Sequence, residues 1–125
     1  VCQWRAQCLA CASSRHGVAL MARVLTKFPG EALTFDFDFS ARMVADDALA
    51  SVDTTASSPS GLILGPAVIN PAATQWPDMY SAPENSVAQM RISGGVAGQR
   101  YVIYVTCSTV AGDVVIGAGV LDVAA

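Results

Sequence analysis

The cysteines near the start of the chain, with the single histidine, are the residues whose types suggest metal chemistry. Cys2, Cys8, Cys11 and His16 form the pattern C-x5-C-x2-C-x4-H. Zinc is held by such thiolate and imidazole ligands when four of them converge tetrahedrally. A structural zinc site usually separates its two halves by a dozen or more residues, and this pattern does not. We interpret these residues as small, semi-buried positions of a tail or helix, and we predict no metal site.

Two further groups could do catalysis, namely the thiol of Cys107 and the carboxylates of Asp36 and Asp38. Cys107 falls at an inward position of a predicted strand, where a thiol packs rather than reacts. Asp36 and Asp38 share one strand face, but no general acid or base accompanies them, because His16 is the only histidine. We interpret the two aspartates as part of a solvated strand face. With no phosphate-binding glycine loop either, the sequence predicts a protein that is not an enzyme and needs no cofactor.

Length, composition and charge narrow the class of protein. The 125 residues are 53% hydrophobic and only 14% charged, which fits one domain whose surface is partly hidden in an assembly or homo-oligomer. No apolar run is long enough for a membrane helix. Residues 1–30 carry four bases and no acid, whereas residues 31–125 carry three bases and ten acids. Such an acidic body disfavours nucleic acid. Cysteine placement predicts a domain without disulfides, made in a reducing cytosol.

The chain divides into two parts at about residue 21. Residues 1–20 form an N-terminal extension, a tail or short helix that carries two bases, Arg5 and Arg15, and no acid. Met21 is a candidate for the natural first residue. The extension is therefore either a genuine part of the protein or sequence translated from upstream of the true start codon. Residues 21–125 are predicted to be one all-β domain.

A strict alternation after residue 32 predicts the main core strand. Leu33, Phe35, Phe37 and Phe39 alternate with polar residues, which places the three phenylalanines in the core. About seven such strands follow one another at short spacing. This rhythm is typical of an immunoglobulin-like antiparallel β-sandwich.

A glycine-rich turn leads into the long strand that starts at Tyr101. Gly94, Gly95 and Gly98 supply positions where the backbone can take positive φ. A tyrosine just after such a turn indicates a tyrosine corner, in which the hydroxyl binds backbone a few residues upstream. These residues are therefore expected to be structural.

The long loop 70–86 is the predicted interaction element. Loops of this length without their own secondary structure are usually functional, and Trp76, Pro77, Met79 and Tyr80 are suitable interface residues. Alternatively, Trp76 folds back over one end of the sandwich. The last strand, Val114–Val123, contains glycines and is expected to be an edge that accepts another chain.

Two motifs resemble a known family. Phe35-Asp36-Phe37-Asp38-Phe39-Ser40 followed by Asp46-Asp47, and Ile92-Ser93-Gly94-Gly95-Val96-Ala97-Gly98-x-x-Tyr101 followed by Thr109-x-Ala111-Gly112-Asp113, are similar to patterns of small immunoglobulin-like tail proteins of tailed bacteriophages. Some of these are fibre–tail adaptor proteins. The resemblance covers residues 24–123.

The resemblance implies a structural virion protein, assembled in the bacterial host cytoplasm, that joins a tail fibre to the tail or neck by binding alone. Its partners would be other tail or neck proteins, the fibre and further copies in a ring. The loop 70–86, the basic tail and the edge of the last strand would form the contacts. Two alternatives remain: a carbohydrate-binding or host-attachment module in which Trp76 and Tyr80 stack on sugar, and a capsid decoration protein.

Overall fold

The computed structural model describes residues 2–5, 19–57, 60–77 and 81–125. The secondary structure of these residues is almost entirely β, and it includes a 3-10 turn at Ser40–Arg42. Among the described residues, no helix has the length and apolar character needed to cross a membrane. The strands are β1 (Cys2–Arg5), β2 (Ala19–Lys27), β3 (Leu33–Asp38), β4 (Leu49–Ala56), β5 (Leu62–Leu64), β6 (Val68–Ile69), β7 (Thr74–Gln75), β8 (Ser81–Ala82), β9 (Val87–Gly94), β10 (Arg100–Thr109) and β11 (Val114–Val123).

Two sheets build the fold. The first sheet has the order β1-β3-β9-β5, with β6 also paired to β9, and the second has the order β2-β11-β10-β4. The strands β7 and β8 form a small hairpin of their own. The prediction of an all-β sandwich is confirmed. The strand count exceeds seven because the N-terminal segment and the loop 70–86 contribute strands that their sequences did not indicate.

Alternating side chains of both sheets meet in one core. Phe35, Phe37 and Phe39 are fully buried, as their alternation predicted, and each contributes roughly 2–3 kcal/mol through burial. The inward side chains of the second sheet belong to the same core cluster as these phenylalanines. The core cluster also contains Trp4, Leu25, Leu49, Ala88, Met90, Ile92, Ile103, Val105, Cys107, Val115 and Leu121.

The first strand completes this core with an indole. β1 runs parallel to β3, with Trp4 opposite Phe37, so Cys2–Arg5 is a strand rather than part of a helix. The Trp4 ring lies 4.5 Å from the Phe37 ring and stacks on Phe35 at 5.2 Å. A Cβ at Gly119 would come within 2.7 Å of the indole, so glycine makes room for it. Residues 2–5 therefore pack with the sandwich, and a domain boundary at residue 21 stays a prediction.

The last strand is not an edge. β2 runs parallel along β11 from Gly117 to Val123, with a register shift between Ala118 and Val120, while β10 covers the other side. The expectation that β11 offers an exposed edge is therefore wrong. The N-terminal segment supplies the neighbour, and a short parallel pairing of this kind leaves no periodic signal in the sequence.

Lys27 ends β2 inside the protein rather than on a basic tail. Its side chain is 1% exposed, and its ammonium donates to the carbonyl oxygens of Gly94 at 2.6 Å, Phe28 at 2.8 Å and Pro29 at 3.4 Å. Desolvation lowers the pKa of Lys27, with a smaller opposing effect from Glu31. The Lys27 ammonium therefore links the turn at residues 28–29 to the glycine turn that begins at Gly94.

Candidate interaction surfaces

The described part of the loop 70–86 lies over the outer face of the first sheet. We call residues 70–77 and 81–86 the covering segment. It contains the β7–β8 hairpin, so the prediction that this stretch has no secondary structure of its own is wrong. Trp76 is 3% exposed and groups with Ala82 and Val87 in a small apolar cluster apart from the main core. The covering segment therefore adds a third layer at this place.

The two aspartates of β3 lie beneath that layer. Asp36 is 7% exposed and Asp38 is 2% exposed, so the prediction of a solvated face is wrong for both. The Trp76 indole N–H donates to Asp36 Oδ2 at 3.0 Å, and the Ser40 N–H donates to Asp38 Oδ1 at 2.9 Å. Alternation correctly predicted that the carboxylates share a face, but a polar face is dry when another segment covers it.

Burial changes the acid strength of Asp36. Desolvation raises the pKa of its carboxyl above the ordinary value of 3.8, and Asp38 raises it further. Hydrogen bonds from Trp76 and Gln89 act in the opposite direction. Within the described residues, no group of three or more His, Cys, Asp or Glu side chains could hold a metal ion. The interactions that the structure shows for the aspartate pair are hydrogen bonds, from Trp76 to Asp36 and from the Ser40 backbone to Asp38.

Asn70 fixes the covering segment at its base. This side chain is 2% exposed. Its Oδ1 accepts hydrogen bonds from the backbone of Ser86 at 2.9 Å and Val87 at 2.8 Å. Its amide nitrogen donates at 2.9–3.2 Å to three oxygens of the same segment, which are Ala72 O, Pro83 O and Thr74 Oγ1. From the sequence, Asn70 is only the first residue of the long loop, because hydrogen bonds to distant backbone have no local signature.

The four predicted interface residues differ in their exposure to solvent and in whether the structure describes them. Trp76 folds onto the outer face of the first sheet rather than over one end of the sandwich, and at 3% exposure it offers almost no surface to a partner or a sugar. Pro77 is exposed. Met79 and Tyr80 lie outside the described residues. The outward surface of the covering segment also includes the exposed residues Pro71, Ala72, Ala73, Gln75, Ser81, Pro83 and Glu84.

The glycine turn lies at the same end of the sandwich as the hydroxyl of Tyr101, which hydrogen-bonds to it. Tyr101 is fully buried, and its hydroxyl accepts a hydrogen bond from the Val96 N–H at 2.9 Å and donates to Ser60 O at 3.4 Å. Gly94, Gly95 and Gly98 have φ of 69°, 96° and 80°. At Gly94 a Cβ would lie 2.6 Å from the carbonyl oxygen of residue 61. This end of the sandwich is therefore closely fixed.

Cys107 lies near the C-terminal end of β10 and is fully buried. Desolvation raises the pKa of its thiol to about 12. A thiol with this pKa is not ionised at neutral pH, so it packs as an apolar group and is not a nucleophile. The other three cysteines and His16 belong to a segment of which only residues 2–5 are described before residue 19.

The outer face of the second sheet is another surface with few charges. Val24, Tyr104 and Val114 are exposed on it by 46%, 40% and 57%. Arg100 and Asp122, joined by a bidentate ion pair at 2.6 and 2.9 Å, mark one end of this face. A sheet face with so few charges is a second candidate contact area.

Comparison with known proteins agrees with this architecture. The family model of the podophage GP4 fiber-tail adaptor protein gp77 matches residues 27–118, which is more than half of the chain. No curated protein matches the chain. The matched range runs from the end of β2 to the middle of β11. It therefore includes the covering segment and the glycine turn, and the resemblance seen in the sequence is confirmed.

Proposed function

Because the chain belongs to the podophage fibre–tail adaptor family, we propose that it joins a tail fibre to the virion tail by protein–protein binding. The family makes it a component of the phage tail. The finer parts of the proposal are the simultaneous contact with both partners, a homo-oligomer or ring in the particle, and assembly in the host cytoplasm. The observation that carries the proposal is the family match over residues 27–118, from the end of β2 to the middle of β11.

The site chemistry supports a role in binding rather than catalysis. The one described thiol is un-ionised and buried, and the aspartate pair is engaged under the covering segment. Trp76 gives no free ring face on which a sugar could stack. These placements support a protein contact over the carbohydrate-binding alternative.

The topology supports the immunoglobulin-like form of the sandwich. The order β3-β9-β5 opposite β4-β10-β11 corresponds to the two sheets of an immunoglobulin constant domain. The bond between Val96 N–H and the Tyr101 hydroxyl corresponds to a tyrosine corner. We infer that residues 24–123 are such a domain, with the N-terminal strands added to it.

The covering segment is the proposed docking surface for the tail. It is held by Asn70 and Trp76 before any partner binds. A surface that is already ordered loses less conformational entropy on binding. Its outward residues include prolines and small side chains and a single described acid, Glu84. Trp76 acts here as a positioning residue, whereas Pro77 would touch the partner.

A bridging experiment tests the adaptor function. Tail particles lacking this protein and its fibre are sedimented with purified fibre, with and without the protein. We expect fibre to sediment with the particles only when the protein is present. If fibre binds the particles equally well without it, the proposed bridge is wrong.

A pair of surface variants tests the docking surface. Pro77→Asp places a charge on the covering segment, and Ala97→Asp places the same charge on an exposed position of the glycine turn. We expect Pro77→Asp to weaken binding to the tail at least about tenfold, and Ala97→Asp to leave it unchanged. Equal binding by both variants and the unaltered protein would remove the covering segment from the contact.

A further inference from the structure

The second sheet has two edge strands, β2 and β4. Among the described residues, β10 is the one strand that pairs with β4. The eight residues Leu49–Ala56 include no proline and no basic residue, and Asp53 is their one charge. Natural edge strands are usually protected from pairing by lysine, proline or a bulge. The regular part of β4 has little of this protection.

The direction of its free hydrogen-bonding groups follows from the ladder with β10. The Ser57 N–H donates to Val102 O at 2.9 Å, which makes 57 a hydrogen-bonded position opposite β10. In an antiparallel ladder these positions alternate, so residues 55, 53 and 51 also bond inward to β10. The N–H and C=O groups of Val52, Thr54 and Ala56 therefore point away from β10. Within the described part of the chain they have no hydrogen-bond partner.

We propose that β4 pairs antiparallel with β4 of a second copy of this chain, about a two-fold axis at Thr54. In this register Thr54 lies opposite Thr54 of the second copy, and Val52 lies opposite its Ala56. All three free positions are then used, and two four-stranded sheets become one continuous sheet. The pairing gives the predicted homo-oligomer a defined contact, and it does not depend on what the covering segment binds.

Charge and register favour a two-fold axis at Thr54 over an axis at either of the two preceding residues. With the axis at Thr54, Asp53 lies opposite Thr55 of the second copy. An axis at Asp53 would place the two Asp53 carboxylates opposite each other. An axis at Val52 would use residue 50, where the β4–β10 register shifts between Ser108 and Thr109. Thr54 is the position that satisfies both conditions.

The edge contact alone is small, so the dimer is expected to be weak in dilute solution and favoured by the high local concentration in a particle. A covalent trap is therefore the appropriate test. In the proposed register the Cα atoms of residue 53 and residue 55 of the second copy are about 4.5 Å apart, which a disulfide spans. Two copies of residue 53, or two copies of residue 55, lie diagonally about 7–8 Å apart, beyond easy bridging.

The experiment uses the full chain as Asp53→Cys and as Thr55→Cys, each alone and as an equal mixture, under oxidation. Mapping of linked peptides separates a 53–55 bond from links through the native cysteines. We expect the 53–55 link to form in the mixture at least about tenfold more than the 53–53 or 55–55 links form in the separate samples. Equal yields, or no 53–55 link, would overturn the pairing, including the cases where another protein or residues 6–18 occupy this edge.

A proline variant adds a second arm. Thr54→Pro removes an N–H that points away from β10, and edge strands tolerate proline at such positions. Introduced into both cysteine variants, it is expected to reduce the 53–55 link at least about fivefold while circular dichroism stays that of the folded protein. An undiminished link in folded Thr54→Pro protein would contradict the pairing. If Thr54→Pro fails to fold, the cysteine mixture decides alone.

Discussion

The two faces of β3 differ in how they are kept from water. On the inner face, Phe35 and Phe37 pack with the second sheet and with the indole of Trp4. On the outer face, Asp36 and Asp38 are nearly as well buried, but their partners are an indole N–H and a backbone N–H. One strand therefore has an apolar layer on one side and a hydrogen-bonded layer on the other.

This difference shows what makes each face stable. The inner face is stabilised by removal of apolar area from water, which is non-directional and tolerates small shifts. The outer face depends on specific hydrogen bonds, because a buried carboxylate that loses its donor is costly. Variants on the two faces should therefore respond differently to size, to hydrogen-bonding capacity and to pH.

The largest effect is expected on the inner face. Phe37→Ala opens a cavity beside Trp4, and we expect it to lower the free energy of unfolding by about 3–5 kcal/mol in urea denaturation. Thr34→Ala, at an exposed position of the same strand, is the control and should change it by less than about 0.5 kcal/mol. Similar losses for the two variants would contradict the assignment of the core.

The next effect concerns the base of the covering segment. Asn70→Ala removes a side chain that makes five hydrogen bonds, and leaves buried backbone groups unpaired. We expect a loss of about 2–4 kcal/mol in the same assay. Thr74→Val removes one of these bonds and should cost under about 1 kcal/mol. A loss from Asn70→Ala no greater than that from Thr74→Val would show that the segment is held by other contacts.

A substitution of Trp76, with a smaller expected effect, distinguishes the packing of its ring from its hydrogen bond to Asp36. Trp76→Phe keeps an aromatic ring but removes the N–H that binds Asp36. We expect a loss of about 1–3 kcal/mol, because a buried carboxylate oxygen loses a donor. Asp36→Asn in the same protein should recover part of it. Additive losses in the double variant would mean that the two side chains are not coupled.

The smallest effect is a pH dependence. The folded-state pKa of Asp36 is raised, so the folded protein binds this proton more tightly than the unfolded chain does. The stability due to Asp36 is therefore fully present below about 3.8, the ordinary value, and is lost as pH rises through the folded-state pKa. Measured between pH 3.5 and 8, the stability of Asp36→Asn relative to the unaltered protein should rise with pH and then level off. A relative fall would contradict the raised pKa.

Much of the inner layer could be predicted from the sequence because side-chain alternation is a local property. The core phenylalanines, the inward Cys107 and the turn before Tyr101 all have signals within a few residues. The same alternation predicted which side Asp36 faces. It did not predict that the side is dry, because the cover comes from Trp76, forty positions further along the chain.

The remaining differences also come from distant contacts. β1 and β2 pair parallel with β3 and β11, and neither pairing requires a pattern within the segment itself. With β2 paired to β11, the two edge strands of the second sheet are β2 and β4. The interface roles of Trp76, Pro77, Met79 and Tyr80 stay predictions, with Trp76 now expected to position the segment rather than to touch the partner.

Amide hydrogen exchange on the tail-bound protein tests the proposed docking surface most directly. Exchange would be followed in the free protein and in the protein bound to tail particles, at residues 70–77 and 81–86 and, for comparison, at the β10–β11 turn from Thr109 to Val114. The account predicts that exchange slows on binding in the covering segment and stays unchanged in the turn. Slower exchange in the turn with no change in the covering segment would contradict it.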